Sequence, residues 1–369
     1  MSIVGYTTRT GAENYRRRFT GKAAPEHFSQ QQGLWLSSIG IGTYLGDHDE
    51  ATDQLYRGAV VRAVELGCNV IDSAINYRLQ RSERSIAAAL KELAGQGIGR
   101  DELFIATKGG FLPFDGAPPK DIRAYFTEVF MKPGIAAFSD FVAGCHCMTP
   151  SYLTNQIDCS LRNLGVDCVD LYYVHNPETQ LGHVGRADFN QRLRAAFEAL
   201  ESAVAAGKIR MYGTATWNGY RNEIGAQDHL SLAEIVALAE EAGGTNHHFK
   251  AIQLPFNMAM PEAVTLQNQE VNGHTVTLVE AAAELGVTVI CSAAILQGQL
   301  AGHLPDIAAR VFAGLATDAQ RALQFVRSTP GVGVALVGMK QVRHVEENLK
   351  VAELAPVTQD QYAELFTAS

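Results

Sequence analysis

The sequence predicts an α/β fold, a (β/α)8 TIM barrel with an N-terminal extension and a long insertion after strand 3. Three observations predict it. Eight short apolar strand-like runs alternate with eight helix-like runs along 369 residues, which is the arithmetic of such a barrel. The strand-like runs are apolar throughout, as expected where both faces of a parallel sheet are covered. Asp72, Tyr77, Lys108 and His175 each stand at or just past the end of such a run, and a parallel barrel gathers its strand C-termini at the face that carries the active site.

The elements follow in order. Residues 1–33 are polar and rich in arginine (Arg16, Arg17, Arg18); they are expected as an N-terminal extension, either a hairpin or strap across the barrel bottom or a tail. The barrel is expected over 34–369, with strands near 38–43, 69–72, 102–107, 168–174, 209–213, 250–254, 287–291 and 333–337. Helices are expected near 51–66, 83–95, 151–164, 189–206, 231–242, 276–285, 317–328 and 342–354. Thr149-Pro150-Ser151 and Ser82-Glu83 supply helix starts. Gly67, Gly165, Gly207 and Gly286 follow helical runs, where a left-handed cap is common. Residues 109–150 far exceed an ordinary βα connection. They hold Gly109-Gly110, a helix expected near 120–130, and recurrent aromatics from Phe111 to Phe141. Following Lys108 directly, they are expected as an inserted loop or subdomain over the active-site face, forming one wall of a substrate pocket.

Composition narrows the function. Net charge is -9 and the pI about 5.7, against a nucleic-acid partner, which a basic patch would mark. No apolar run approaches the roughly 18 residues of a membrane span. The N-terminus lacks the apolar stretch of a secretory signal, and the six cysteines are scattered; a cytoplasmic, reduced protein is expected. Cys145-His146-Cys147 invites a metal reading, but no second Cys/His pair stands at metal-site spacing, and no metal is expected. Oligomeric state is left open, with a homo-oligomer allowed.

An acid, a phenol, an amine and an imidazole in one barrel mouth suit proton delivery to a carbonyl oxygen. Hydride arriving at carbon builds charge on oxygen, so a donor must lie within hydrogen-bond reach. Tyr77 is the natural donor, Lys108 is expected to lower its pKa from about 10, Asp72 to hold Lys108, and His175 to orient the carbonyl. Lys108 as a Schiff-base amine in an unrelated barrel enzyme is a separate alternative.

The chain resembles the aldo-keto reductase superfamily over nearly all of residues 34–354. The matching stretches are Ile41-Gly42-Thr43-Tyr44, Gly67 to Tyr77 with Ser82-Glu83, Phe104 to Lys108, Ser160 to His175, Gly207 to Gly213, Gln253 with Asn257, and Glu347-Asn348. The resemblance implies a nicotinamide cofactor bound without a Rossmann domain, NADP(H) preferred over NAD(H), and reduction of a small-molecule carbonyl substrate. It places the family's catalytic tetrad on Asp72, Tyr77, Lys108 and His175. It places cofactor contacts on Gly42, Thr43, Thr216, Gln253, Ser292, Gln297, Gly298, Lys340, His344, Glu347 and Asn348. The cofactor half departs from the pattern. Ala215-Thr216 stand where the family has Ser-Asn, Ser292 where it has a stacking tyrosine, and Ala294-Ile295 where it has Pro-Leu; Trp217 is the nearby aromatic. Two accounts fit these departures: a reductase that binds NADP(H) in an altered pose, and a sugar-like substrate with bound cofactor used internally for epimerisation or dehydration. A non-turnover, cofactor-sensing regulatory subunit is a further class among the family's relatives.

Overall fold

The structure, a computed structural model, describes residues 2–367. Eight parallel strands close into a barrel: β1 Ile39–Gly42, β2 Val70–Asp72, β3 Phe104–Gly109, β4 Val169–His175, β5 Ile209–Ala215, β6 Phe249–Pro255, β7 Thr288–Ser292 and β8 Val332–Gly338. Each expected strand is present. The third is displaced, because Arg100–Glu102 form a 3-10 turn and the strand runs on through Lys108. The helices of the outer ring are α1 Glu50–Glu65, α2 Arg81–Gly95, α3 Pro150–Leu164, α4 Arg186–Ala205, α5 Leu232–Gly243, α6 Leu278–Glu284, α7 Asp318–Ser328 and α8 Val342–Asn348.

Side chains alternate across a strand, and this alternation positions the site. Val70, Phe104, Ala106, Leu171, Tyr173, Ala251, Ile290, Val334 and Leu336 fill the barrel interior as one apolar cluster. Two residues further along the same inward faces come Asp72, Lys108, His175, Gln253 and Ser292. The core-facing period thus delivers the polar residues to the top of the barrel.

A hairpin, Phe28–Gln31 with Leu34–Ser37, precedes β1, and Leu36 and Leu34 join the interior cluster from below. The expected boundary between residues 33 and 34 falls at its turn. An N-terminal helix, Arg9–Arg17, packs outside; the Tyr15 hydroxyl donates to the Val64 carbonyl of α1 (2.5 Å).

Local expectations differ from the structure at four places. Ser82 does not cap α2: the helix begins at Arg81, and the Ser82 hydroxyl donates to the Thr43 carbonyl instead (2.6 Å). A second hairpin, Gln267–Val271 with His274–Thr277, precedes α6; its Asn272-Gly273 turn, both residues at positive φ, is a readable hairpin signal. The last expected helix splits into α8 and a 3-10 turn, Leu349–Glu353. A further helix, Gln359–Thr367, follows it. Gly165 does cap α3 in the left-handed region (φ 65°).

Candidate active site

A cleft of about 810 Å³ opens at the C-terminal face of the barrel. All eleven residues expected at a cofactor line it, from Gly42 and Thr43 through Thr216, Gln253, Ser292, Gln297 and Gly298 to Lys340, His344, Glu347 and Asn348. Asp72, Tyr77 and His175 line it as well, while Lys108 lies just beneath, about 1% exposed. Ala215 and Trp217 are also in the wall. Sequence reasoning missed Asn76 and Asn176 as lining residues, although both flank predicted site residues. Tyr44 and Phe111 stood in recognised stretches without being assigned to the site.

Lys108 is held on two sides. Its ammonium pairs with Asp72 Oδ1 and donates to the Ser73 carbonyl (2.8 Å). Burial lowers its pKa, while the neighbouring Asp72 raises it in opposition. The ammonium sits 5.2 Å from the centroid of the Tyr77 ring. The expected lowering of the Tyr77 pKa is not what this arrangement gives. Burial, then the charge of Asp72, then Tyr44, push the phenol well above its ordinary value. The physical reason is first the lost hydration of a buried phenolate, and then that Asp72 already balances the ammonium, leaving little net positive charge to stabilise it. Tyr77 therefore stays protonated across the neutral range.

His175 packs edge-on to Tyr77 (5.8 Å between centroids) and to Phe111 (5.1 Å). Burial and the Lys108 charge hold its pKa well below the ordinary value, so its imidazole is neutral. Its Nδ1 is buried without a protein partner. A neutral ring carries one N–H, which suits binding a carbonyl oxygen and not donating the proton itself.

His175 is braced from the insertion. His146 donates Nε2–H to the His175 backbone carbonyl (2.7 Å), and its Nδ1 accepts from Gln180 Nε2 (3.1 Å). A carbonyl only accepts, so the tautomer is settled, and burial lowers the His146 pKa to about 4. The Cys145-His146-Cys147 triplet thus spends its imidazole on the backbone. Gly110 permits this approach: a Cβ there would lie 2.8 Å from His146 Nε2 and 3.1 Å from the His175 carbonyl oxygen. From 109–150 Phe111 reaches the cleft wall, whereas Phe126, Phe130, Ala136, Cys147 and Tyr152 form a separate aromatic core.

Glu178, in the turn after β4, holds the loop after β5. Its Oε1 accepts the N–H groups of Trp217 (2.6 Å) and Asn218 (3.2 Å). Its Oε2 is buried without a partner, and burial pushes the carboxyl up to about 7 against those bonds. A carboxyl whose folded pKa exceeds the unfolded value of about 4.3 contributes fully below that value and loses its contribution as pH rises through the folded pKa. Urea unfolding is therefore expected to show wild type losing up to about 3 kcal/mol relative to Glu178→Gln between pH 4 and 8. Parallel pH curves for the two proteins would refute this.

The chain has relatives among known proteins. The profile of the Aldo/keto reductase family matches residues 38–306. An NADP(+) aldo-keto reductase of Schizosaccharomyces pombe is 24% identical over 269 residues, 73% of this chain but 59% of that protein. A putative voltage-gated potassium channel subunit beta of the same yeast is 23% identical over 352 residues, 91% of this chain and 90% of the relative. Among solved structures, an aldo/keto reductase from Klebsiella pneumoniae in complex with NADP and acetate superposes with a TM-score of 0.61 at 20% identity, covering 91% of this chain and 92% of that one.

Proposed function

This chain belongs to the aldo/keto reductase family, and from that premise we propose that it is an NADP(H)-dependent oxidoreductase that reduces an uncharged aldehyde or ketone to an alcohol. One observation carries the reading: Tyr77, His175 and the Asp72–Lys108 pair converge at one part of a cleft whose wall also holds every expected cofactor residue.

The cleft suits the cofactor. Asn348 Oδ1 is buried without a protein partner in that wall, an acceptor fitted to an adenine amino group, with Glu347 beside it in sequence. Lys340 offers charge, and His344 a ring N–H, to a 2′-phosphate. Gln253 and Thr216 stand toward the nicotinamide end. When bound, the cofactor supplies hydride. The chain's own part is to hold the carbonyl oxygen between His175 and Tyr77 and to deliver the Tyr77 proton as charge builds there. Tyr44, Tyr77, Phe111 and Trp217 line the cleft, and the one charged pair beside Tyr77 is closed on itself, which favours an uncharged substrate.

Fluorescence titration with NADPH and NADH, followed by a panel of aldehydes and ketones, tests the reading. Tighter binding of NADPH with loss of nicotinamide absorbance is expected. Failure to bind either would sink it. One observation favours a second reading, a non-turnover, cofactor-sensing subunit: the channel-subunit relative aligns over nearly the full chain. Tight NADPH binding without turnover of any panel member would support that reading instead.

A further inference from the structure

We propose that Gln253 is a positioning residue for the proton-delivery group, holding Asp72 through one N–H of its side-chain amide. The contact rests on geometry alone, and its consequence for turnover rests on the reductase reading.

Gln253 projects inward from β6, across the barrel from β2. Its Nε2 donates to Asp72 Oδ2 at 2.8 Å, linking residues 181 positions apart. The other Asp72 oxygen is taken by Lys108. Gln253 and Asp72 are each 4% exposed, so water does not compete freely for this bond, and a hydrogen bond to a buried carboxylate is among the stronger kinds. The chain therefore runs from Gln253 to Asp72 to Lys108, whose ammonium lies over the Tyr77 ring. One amide N–H is committed to Asp72. The Tyr173 side chain faces the same amide, and Gln253 is part of the cleft wall. It is also tied to the loop after β5: the Thr216 N–H donates to the Gln253 carbonyl (2.8 Å). A neutral amide steadies Asp72 without discharging the Asp72–Lys108 pair.

A carboxylate at this position makes the contact depend on pH. In Gln253→Glu the protonated acid still donates to Asp72, but on ionisation two carboxylates face each other. The other groups facing the pair are Tyr77, Tyr173 and His175, with Cys291 and Glu83 further out. They are common to every variant and cancel in a double-mutant cycle.

Cofactor-free protein is melted from pH 5 to 8 as wild type, Gln253→Glu, Asp72→Asn and the double variant. The melting temperature of Gln253→Glu is expected to fall below wild type by a gap that widens with pH by about 2 °C or more, and the widening should vanish in the Asp72→Asn background. With NADPH saturating, kcat of Gln253→Glu should drop at least tenfold from pH 6 to 8 while wild type stays flat. Gln253→Met, which removes the bond without adding charge, should be slow at every pH. A gap that does not widen, or that widens equally without Asp72, overturns the contact. A widening gap with a wild-type kcat profile overturns the positioning role. If wild type turns over nothing, the reductase reading falls while the melting cycle still decides the contact.

Discussion

Tyr77→Phe is expected to lower kcat by about 10²- to 10⁴-fold, the usual worth of a positioned general acid, while leaving NADPH affinity within about twofold. The substitution removes one hydroxyl and keeps the ring, so the edge contacts to Tyr44 (4.9 Å) and His175 (5.8 Å) are retained and stability should hardly change. The direction of the Tyr77 pKa sharpens the prediction. Burial drives the phenol well above its ordinary value, so it stays protonated at neutral pH and no alkaline limb from its ionisation should appear in reduction between pH 6 and 9. The reverse reaction, which needs phenolate as base, should be slow at neutral pH and rise with pH. Steady-state kinetics in both directions, with a fluorescence binding isotherm for the variant, check this. Undiminished turnover in the phenylalanine variant would remove Tyr77 from the mechanism.

Lys108→Met carries the second large effect, and it is expected in both activity and stability. Asp72 is 4% exposed and Lys108 about 1%. Removing the cation strands a buried carboxylate, at a typical cost of about 3–5 kcal/mol. Turnover should fall by at least about 10²-fold, since proton loss from Tyr77 then faces Asp72 without an intervening positive charge. The two losses separate in the double variant Asp72→Asn/Lys108→Met. Its stability should return most of the way to wild type, because no unpaired charge remains, while its activity should stay low. Denaturant unfolding and kcat on the same three proteins decide the matter. Stability and activity recovering together would mean that Lys108 matters only for folding.

Much of the fold was readable because its determinants are local. Eight apolar runs, the helical runs between them and the glycine at the end of α3 mark elements without knowledge of their neighbours. The misreadings are local signals that tertiary contacts overrode. Ser82 is a good cap former, yet its hydroxyl goes to the Thr43 carbonyl across the loop from β1. No metal is expected at Cys145-His146-Cys147, but the partner that His146 takes, the His175 carbonyl, is one that no spacing rule identifies.

By itself the sequence determined the barrel and the strand ends that carry Asp72, Lys108 and His175, with Tyr77 in the following turn. A period of two along each strand sends a polar residue inward wherever it follows the core-facing register. Only the tertiary structure decided how those groups act. The bond from Gln253 to Asp72 joins opposite sides of the barrel, and the upward shift of Tyr77, the neutrality of His175 and the near-neutral titration of Glu178 all come first from burial. Burial and long-range pairing belong to the packed surroundings, since desolvation is set by every atom around a group, and so residue type and spacing do not contain them.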